Sequence, residues 1–177
     1  MLKVRDLIKS DYEFLTNNRF KMKRVIFKII INPGFKAVFL YRMQQYFQRK
    51  QMWLIANIIS GTNQFLTGAE LCIGCDIGSN LIIRHPSGIV IGGGVTIGNY
   101  TIIQKGVVIG AKYSKSLPSL VYPKIHNNVE IGTNAAILGD VIVSNNVSIG
   151  ALTLVIKSVP SNKVVVGNPA RILDHNK

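Results

Sequence analysis

Apolar residues recur every six positions over most of the chain. Ile125, Ile131, Ile137, Val143, Ile149 and Val155 keep that step without a break, and Ile91, Ile97, Ile103 and Ile109 keep it upstream. A second series of small or β-branched residues follows four positions after each member of the downstream run: Val129, Ala135, Val141, Val147, Thr153 and Val159. A period of six matches neither the 3.6 of an amphipathic helix nor the strict alternation of a half-buried strand. It fits a chain that turns a corner every six residues and points one branched side chain inward at each corner. Gly98-Asn99, Asn127-Asn128, Gly132, Asn145-Asn146 and Gly150 fall where corners need an open or left-handed backbone. The pattern predicts a mainly β protein built as a parallel β-helix, each coil burying its aliphatic column on its neighbours.

Two irregularities interrupt the array. Leu71, Ile77 and Ile83 keep the step of six, but Ile91 comes eight residues later, and the surplus lies within Arg84-His85-Pro86-Ser87-Gly88. Between Ile109 and Ile125 the step is sixteen, which predicts an excursion loop over 111–124. Loops that interrupt a repeat array are favoured places for binding.

Residues 1–67 read differently, as a helical region ahead of the β-helix of 68–177. Ser10-Asp11-Tyr12-Glu13 has the form of a capping box and predicts a helix over 11–31, ended by Asn32-Pro33-Gly34. A second helix is expected from Phe35 to about Lys50, with Phe35, Val38, Phe39, Arg42, Met43 and Tyr46 on one largely apolar face. A third runs from Met52 to Leu66. So short a set of helices makes no core alone, and is expected to cap the first coil and cover its strand edge.

Composition refines this picture. With 177 residues and 47% apolar content, the chain holds one domain, or a small one with a helical attachment. No apolar run is long enough to span a membrane, and the start lacks a secretory signal, so a cytoplasmic location is expected. The net charge of +13 is concentrated early: residues 1–66 hold twelve Lys and Arg against three acids. Arg19, Lys21, Lys23, Arg24 and Lys28 alternate with apolar residues over 19–31. That segment reads either as a helix with a solvated basic face or as a peripheral contact with an anionic membrane surface at its inner face. Nucleic acid is not expected, because no recognised binding module or aromatic stacking pattern accompanies the charge. Cys72 and Cys75 form one C-x-x-C without a second ligand pair, so no metal site is expected.

Several motifs together resemble one family. N-P-G-F-K-A-V-F-L-Y-R, N-Q-F-L-T-G-A-E-L, I-G-S-N-L-I-I-R-H-P-S-G-I-V-I-G, Y-P-K-I-H-N-N-V-E-I-G and V-V-G-N-P-A-R-I are similar, in that order, to the serine acetyltransferase-like branch of the hexapeptide-repeat acyltransferases. The resemblance implies a left-handed coil, a homotrimer, and acetyl-CoA lying in the groove between neighbouring subunits. It also implies that His85 is the catalytic base, matched with Glu70 at the position of the orienting carboxylate. Imidazole suits the role because it can take and return a proton near neutral pH. The small residues expected along the CoA groove are Gly110, Ala111, Thr133, Gly150 and Ala151, with Lys157, Lys163 and Arg171 near the CoA phosphates.

At three acceptor positions the chain departs from the serine-holding pattern, carrying Arg84, Val121 and Tyr122: no cation remains at 121–122 to grip an amino acid carboxylate, and Arg84 would repel its ammonium. An apolar wall and an aromatic ring at 121–122 suit a sugar ring, which points to the colanic-acid and capsule-type sugar O-acetyltransferases. The expectation is therefore an acetyl-CoA-dependent O-acetyltransferase acting on a sugar hydroxyl of a polysaccharide or its precursor. Serine O-acetyltransferase is the alternative, and a non-catalytic hexapeptide scaffold the second.

Overall fold

A computed structural model describes residues 3–112 and 120–173. Residues 113–119 of the expected excursion loop, and His175, lie outside the described residues.

The β-helix is laid down coil by coil. The first coil comprises β1 (Glu70–Leu71), β2 (Asp76–Ile77) and β3 (Leu81–Ile83); the second, β4 (Val90–Ile91), β5 (Thr96–Ile97) and β6 (Thr101–Ile103). β7 (Val108–Gly110), β8 (Lys124–Ile125) and β9 (Glu130–Ile131) form the third, and β10 (Ala136–Leu138), β11 (Ile142–Val143) and β12 (Ser148–Ile149) the fourth. β13 (Leu154–Val155) and β14 (Val164–Val166) begin a fifth, and β15 (Arg171–Leu173) folds back antiparallel on β14.

These strands stack into three parallel faces: β1-β4-β7-β10-β13, β2-β5-β8-β11 and β3-β6-β9-β12-β14. The single six-step series of the sequence thereby divides into three columns. Leu71, Ile91, Ile109, Ile137 and Val155 are in register on the first face. Ile77, Ile97, Ile125 and Val143 align on the second, and Ile83, Ile103, Ile131, Ile149 and Val165 on the third. All are buried in one continuous core. The branched residues expected at the corners lie instead on the strand faces, and Val159 of the second series bridges Val143 and so ends the second-face column. Asn80, Asn128, Asn146 and Asn162 take the left-handed backbone at the corner between the second and third faces. Asn128 donates to Asn146 and Asn146 to Asn162, both at 2.8 Å, making an amide ladder along that edge.

The first coil has no coil beneath it, and helices satisfy its backbone instead. They are α1 (Val4–Thr16), α2 (Met22–Ile31), α3 (Pro33–Arg49) and α4 (Trp53–Thr67). α3 begins at Pro33 because Asn32 Oδ1 accepts the Phe35 N–H and proline fits the first turn. From α3, Gln44 donates to the Leu71 carbonyl at 2.9 Å, while the Tyr41 hydroxyl donates to the Cys75 carbonyl and accepts the Ile77 N–H. Arg42 donates to the carbonyls of Ile77 and Gly78 and pairs with Asp11 of α1 at 2.8 Å, both side chains fully buried. Asp11 also accepts the Leu81 N–H. The edge of the solenoid is thus closed by buried polar side chains.

The expected helix over 11–31 is in fact two. Ser10 lies inside α1 and donates to the Leu7 carbonyl, Asn17 ends the helix in the left-handed conformation, and Glu13 accepts the Phe20 N–H from the next segment. The residues read as a capping box are otherwise engaged: Ser10 within its own helix, Asp11 with Arg42 and Glu13 with the Phe20 N–H. Arg42, expected on an apolar face, is there because its charge has a buried partner.

Candidate functional site

The corner joining the third face to the first is four residues long in three successive coils: 104–107, 132–135 and 150–153. In the first coil it has six, 84–89. Its last three residues align with the later corners, since Gly88, Gly106, Asn134 and Leu152 all hold the left-handed backbone and the Gly106 N–H donates to the Ser87 carbonyl, while Arg84 takes the first place, its N–H donating to the Ile103 carbonyl as that of Gln104 does to Ile131. The two surplus residues are therefore His85 and Pro86. Pro86 is buried, and His85 has φ 56°, a conformation uncommon for a residue with a bulky side chain. The corner is pushed outward, leaving Arg84 and His85 exposed.

Thr133, Gly150 and Ala151 lie on this same edge. The Leu152 N–H donates to the Thr133 carbonyl and the Asn134 N–H to that of Lys105, so the corners stack directly. At about 4.8 Å per coil the edge runs about 14 Å from the His85 corner to that of Ala151. Lys105, exposed one coil from His85, joins these residues and was missed from sequence, although its place two residues after Ile103 follows from the six-step.

Glu70 begins β1, and its N–H donates to Ile89, which ties it to the His85 corner. Its carboxylate is occupied locally, accepting from Gln64 Nε2 at 3.3 Å and from Cys72 Sγ at 3.5 Å. Among the described residues no hydrogen bond or ion pair joins it to His85. Burial, and then the Glu70 carboxylate, push the Cys72 thiol up from its ordinary value. Cys75 is pushed up to about 12, chiefly by burial, so both sulfurs are held as thiols.

The remaining expected residues lie elsewhere. Gly110, Ala111, Val121, Tyr122 and Lys157 fall at the corner between the first and second faces. Tyr122 is half-buried and packs on the preceding coil, where a Cβ on Gly94 would overlap its ring and one on Gly92 would come within 3.1 Å. Its face is taken by glycines of its own chain, which weakens its reading as an open platform for a sugar. Lys157 and Arg171 line a groove of about 620 Å³ at the far end with Val165 and Ile172, while Lys163 is not among its lining. One chain therefore splits the site over two edges of the prism, with the first face between them. Among the described residues, no group of three His, Cys, Asp or Glu side chains is placed to hold a metal ion.

No protein-family model matches the chain. Serine acetyltransferase of Synechococcus elongatus is 33% identical over 145 residues, covering 82% of this chain and 59% of the relative. That of Staphylococcus xylosus is 32% identical over 173 residues, covering 98% and 79%. Among solved structures, Neisseria gonorrhoeae serine acetyltransferase superposes with a TM-score of 0.85 at 24% identity, over 97% of this chain and 66% of that one, a likeness of fold. A serine acetyltransferase in complex with CoA gives 0.81 at 26%, over 96% and 69%. These likenesses correct the expectation of a polysaccharide or sugar O-acetyltransferase, because the relatives are serine acetyltransferases. That expectation took the absence of a cation at 121–122 to exclude an amino acid. It counted Arg84, which stands exposed beside His85, only as repelling the serine ammonium.

Proposed function

The chain belongs to the serine acetyltransferase family, and from that premise we propose that it transfers the acetyl group of acetyl-CoA to the hydroxyl of L-serine, in the cytoplasm, as a homotrimer. The supporting observation is the insertion of His85 and Pro86 into an otherwise regular edge, which leaves the imidazole exposed beside Arg84. His85 takes the serine hydroxyl proton as the oxygen attacks the thioester carbonyl. As the carbon–sulfur bond breaks, the same proton passes to the departing CoA sulfur. Arg84 meets the serine carboxylate, which a guanidinium binds through two donors. Glu70 turns from Gln64 and Cys72 to orient the imidazole once substrates are in place, as catalytic contacts often tighten only in the complex.

The split between edges supports a site completed by a second copy. His85, Lys105, Thr133 and Ala151 come from the edge of one subunit, and Gly110, Ala111 and the residues around Tyr122 from the other edge of its neighbour. Small side chains there let an extended pantetheine arm reach backbone amides, and Lys105, Lys157, Lys163 and Arg171 supply cations for the CoA phosphates. On α4, Leu54, Ile58 and Phe65 form an exposed apolar row without a charged residue, suited to burial between subunits.

The test is thiol release from acetyl-CoA by the purified protein, with the product identified by mass. Release that requires L-serine and yields O-acetylserine is expected. Absence of serine-dependent release, with acetyl-CoA intact, would overturn the assignment.

A further inference from the structure

α2 carries a surface that the acetyl-transfer site does not use. Val25 is buried against Tyr12 and Phe35, with Ile29 beside it, so one side of the helix is fixed to the protein. On the other side Met22, Ile26, Phe27, Ile30 and Ile31 are each more than half exposed. Lys23 and Arg24 stand exposed in its first turn, and Arg19 and Lys21 just before it. A cavity of about 590 Å³ opens where the chain enters α2, lined by Arg5, Lys9 and Arg19 with Glu13 and Phe20. Glu13 already accepts the Phe20 N–H. Between Glu13 and Glu70 the sequence holds no acid at all.

A surface this apolar and this uniformly cationic is complementary to one kind of partner, and we infer that α2 docks peripherally on an anionic phospholipid bilayer. The apolar row enters the boundary between headgroups and acyl chains, and the flanking cations meet lipid phosphates. No helix among the described residues is long and apolar enough to cross a membrane, so the contact lies in the plane of the surface. A two-fold contact between α2 helices of two copies would instead set cation against cation, since α2 and the residues just before it carry no acid and Glu13 of the adjoining cavity is engaged by the Phe20 N–H. The α4 row differs in this respect, because Trp53–Thr67 contains no charge. This inference is independent of the acceptor.

Cosedimentation of the full chain with phosphatidylglycerol–phosphatidylcholine vesicles, and with phosphatidylcholine alone, tests it. Binding to the anionic vesicles is expected to exceed binding to neutral ones about tenfold and to fall in high salt. Phe27→Asp/Ile30→Asp and Lys23→Glu/Arg24→Glu alter only exposed positions. Each is expected to lower vesicle binding about tenfold with circular dichroism and melting temperature unchanged. Three results would overturn the inference: no vesicle binding by the parent chain, equal binding to neutral vesicles, or variants that bind as the parent does. So would sedimentation velocity showing that the α2 substitutions dissociate the oligomer while vesicles are ignored, which would assign the surface to a second copy.

Discussion

Replacing Arg42 by Met removes the cation from a fully buried ion pair while keeping most of the aliphatic volume. Asp11 then keeps only the Leu81 N–H as a partner, and the Ile77 and Gly78 carbonyls lose their donors. An uncompensated buried charge costs about 3–5 kcal/mol. The stranded carbonyls add about 1–3 kcal/mol each where water cannot reach them. The Gly78 contact is only partly buried and adds little, so the charge and the Ile77 carbonyl together come to about 4–8 kcal/mol. Against about 5–15 kcal/mol for a typical domain, this is a large share. Urea unfolding followed by circular dichroism, at one protein concentration and with the slope compared, measures it. Asp11→Leu/Arg42→Met removes the orphaned charge but leaves the Leu81 N–H and both carbonyls without partners, so it is expected to recover only part of the loss. A single-variant loss under about 1 kcal/mol would refute the ion pair as a cap. A double variant as stable as the parent would refute the role of the backbone contacts.

Gly94→Ala drives a methyl into the Tyr122 ring and is expected to cost about 1–3 kcal/mol by thermal melting. Adding Tyr122→Ala should leave little further effect of the alanine, since the clash is gone. Asn146→Ala places a Cβ without amide compensation at φ 59°, for a loss of about 1–2 kcal/mol; Asn146→Gly should lose less, and the reverse order would contradict the corner geometry. Both raised thiols predict slow alkylation at pH 8, slower at buried Cys75 than at Cys72. Glu70→Gln removes the charge that holds the Cys72 proton, so thiolate forms at lower pH and Cys72 should label faster. An unchanged rate would show that Glu70 does not act on this sulfur.

The aliphatic columns were legible because a solenoid repeats one contact, and each coil restates the rule that Ile91, Ile97 and Ile103 already show. What the repeat could not reveal lies in contacts made once. The Asp11–Arg42 pair spans 31 residues and has no period, although a cation inside an apolar helix face is itself a sign of a buried partner. The break after Thr16 was signalled by Asn17-Asn18, yet the apparent capping box at Ser10 masked it. At the site, the eight-residue step located the His85 corner, but stacking was needed to show that His85 and Pro86 are the inserted pair and that Arg84 keeps the register of Gln104. Tyr122 was read as facing a ligand because sequence gives no view of the Gly92–Gly94 corner beneath it. The acceptor was misjudged for a related reason. A missing cation at 121–122 was counted, while a cation gained at 84 was weighed only as a repulsion.

The claim that most depends on this geometry is that the extruded imidazole of His85 moves the proton during acetyl transfer. Steady-state kinetics of His85→Ala with L-serine and acetyl-CoA tests it most directly, with the fold checked by circular dichroism. A general base of this kind contributes about 10²–10⁴-fold, so kcat should fall by that factor. A variant that folds and retains the parent's kcat would contradict the account.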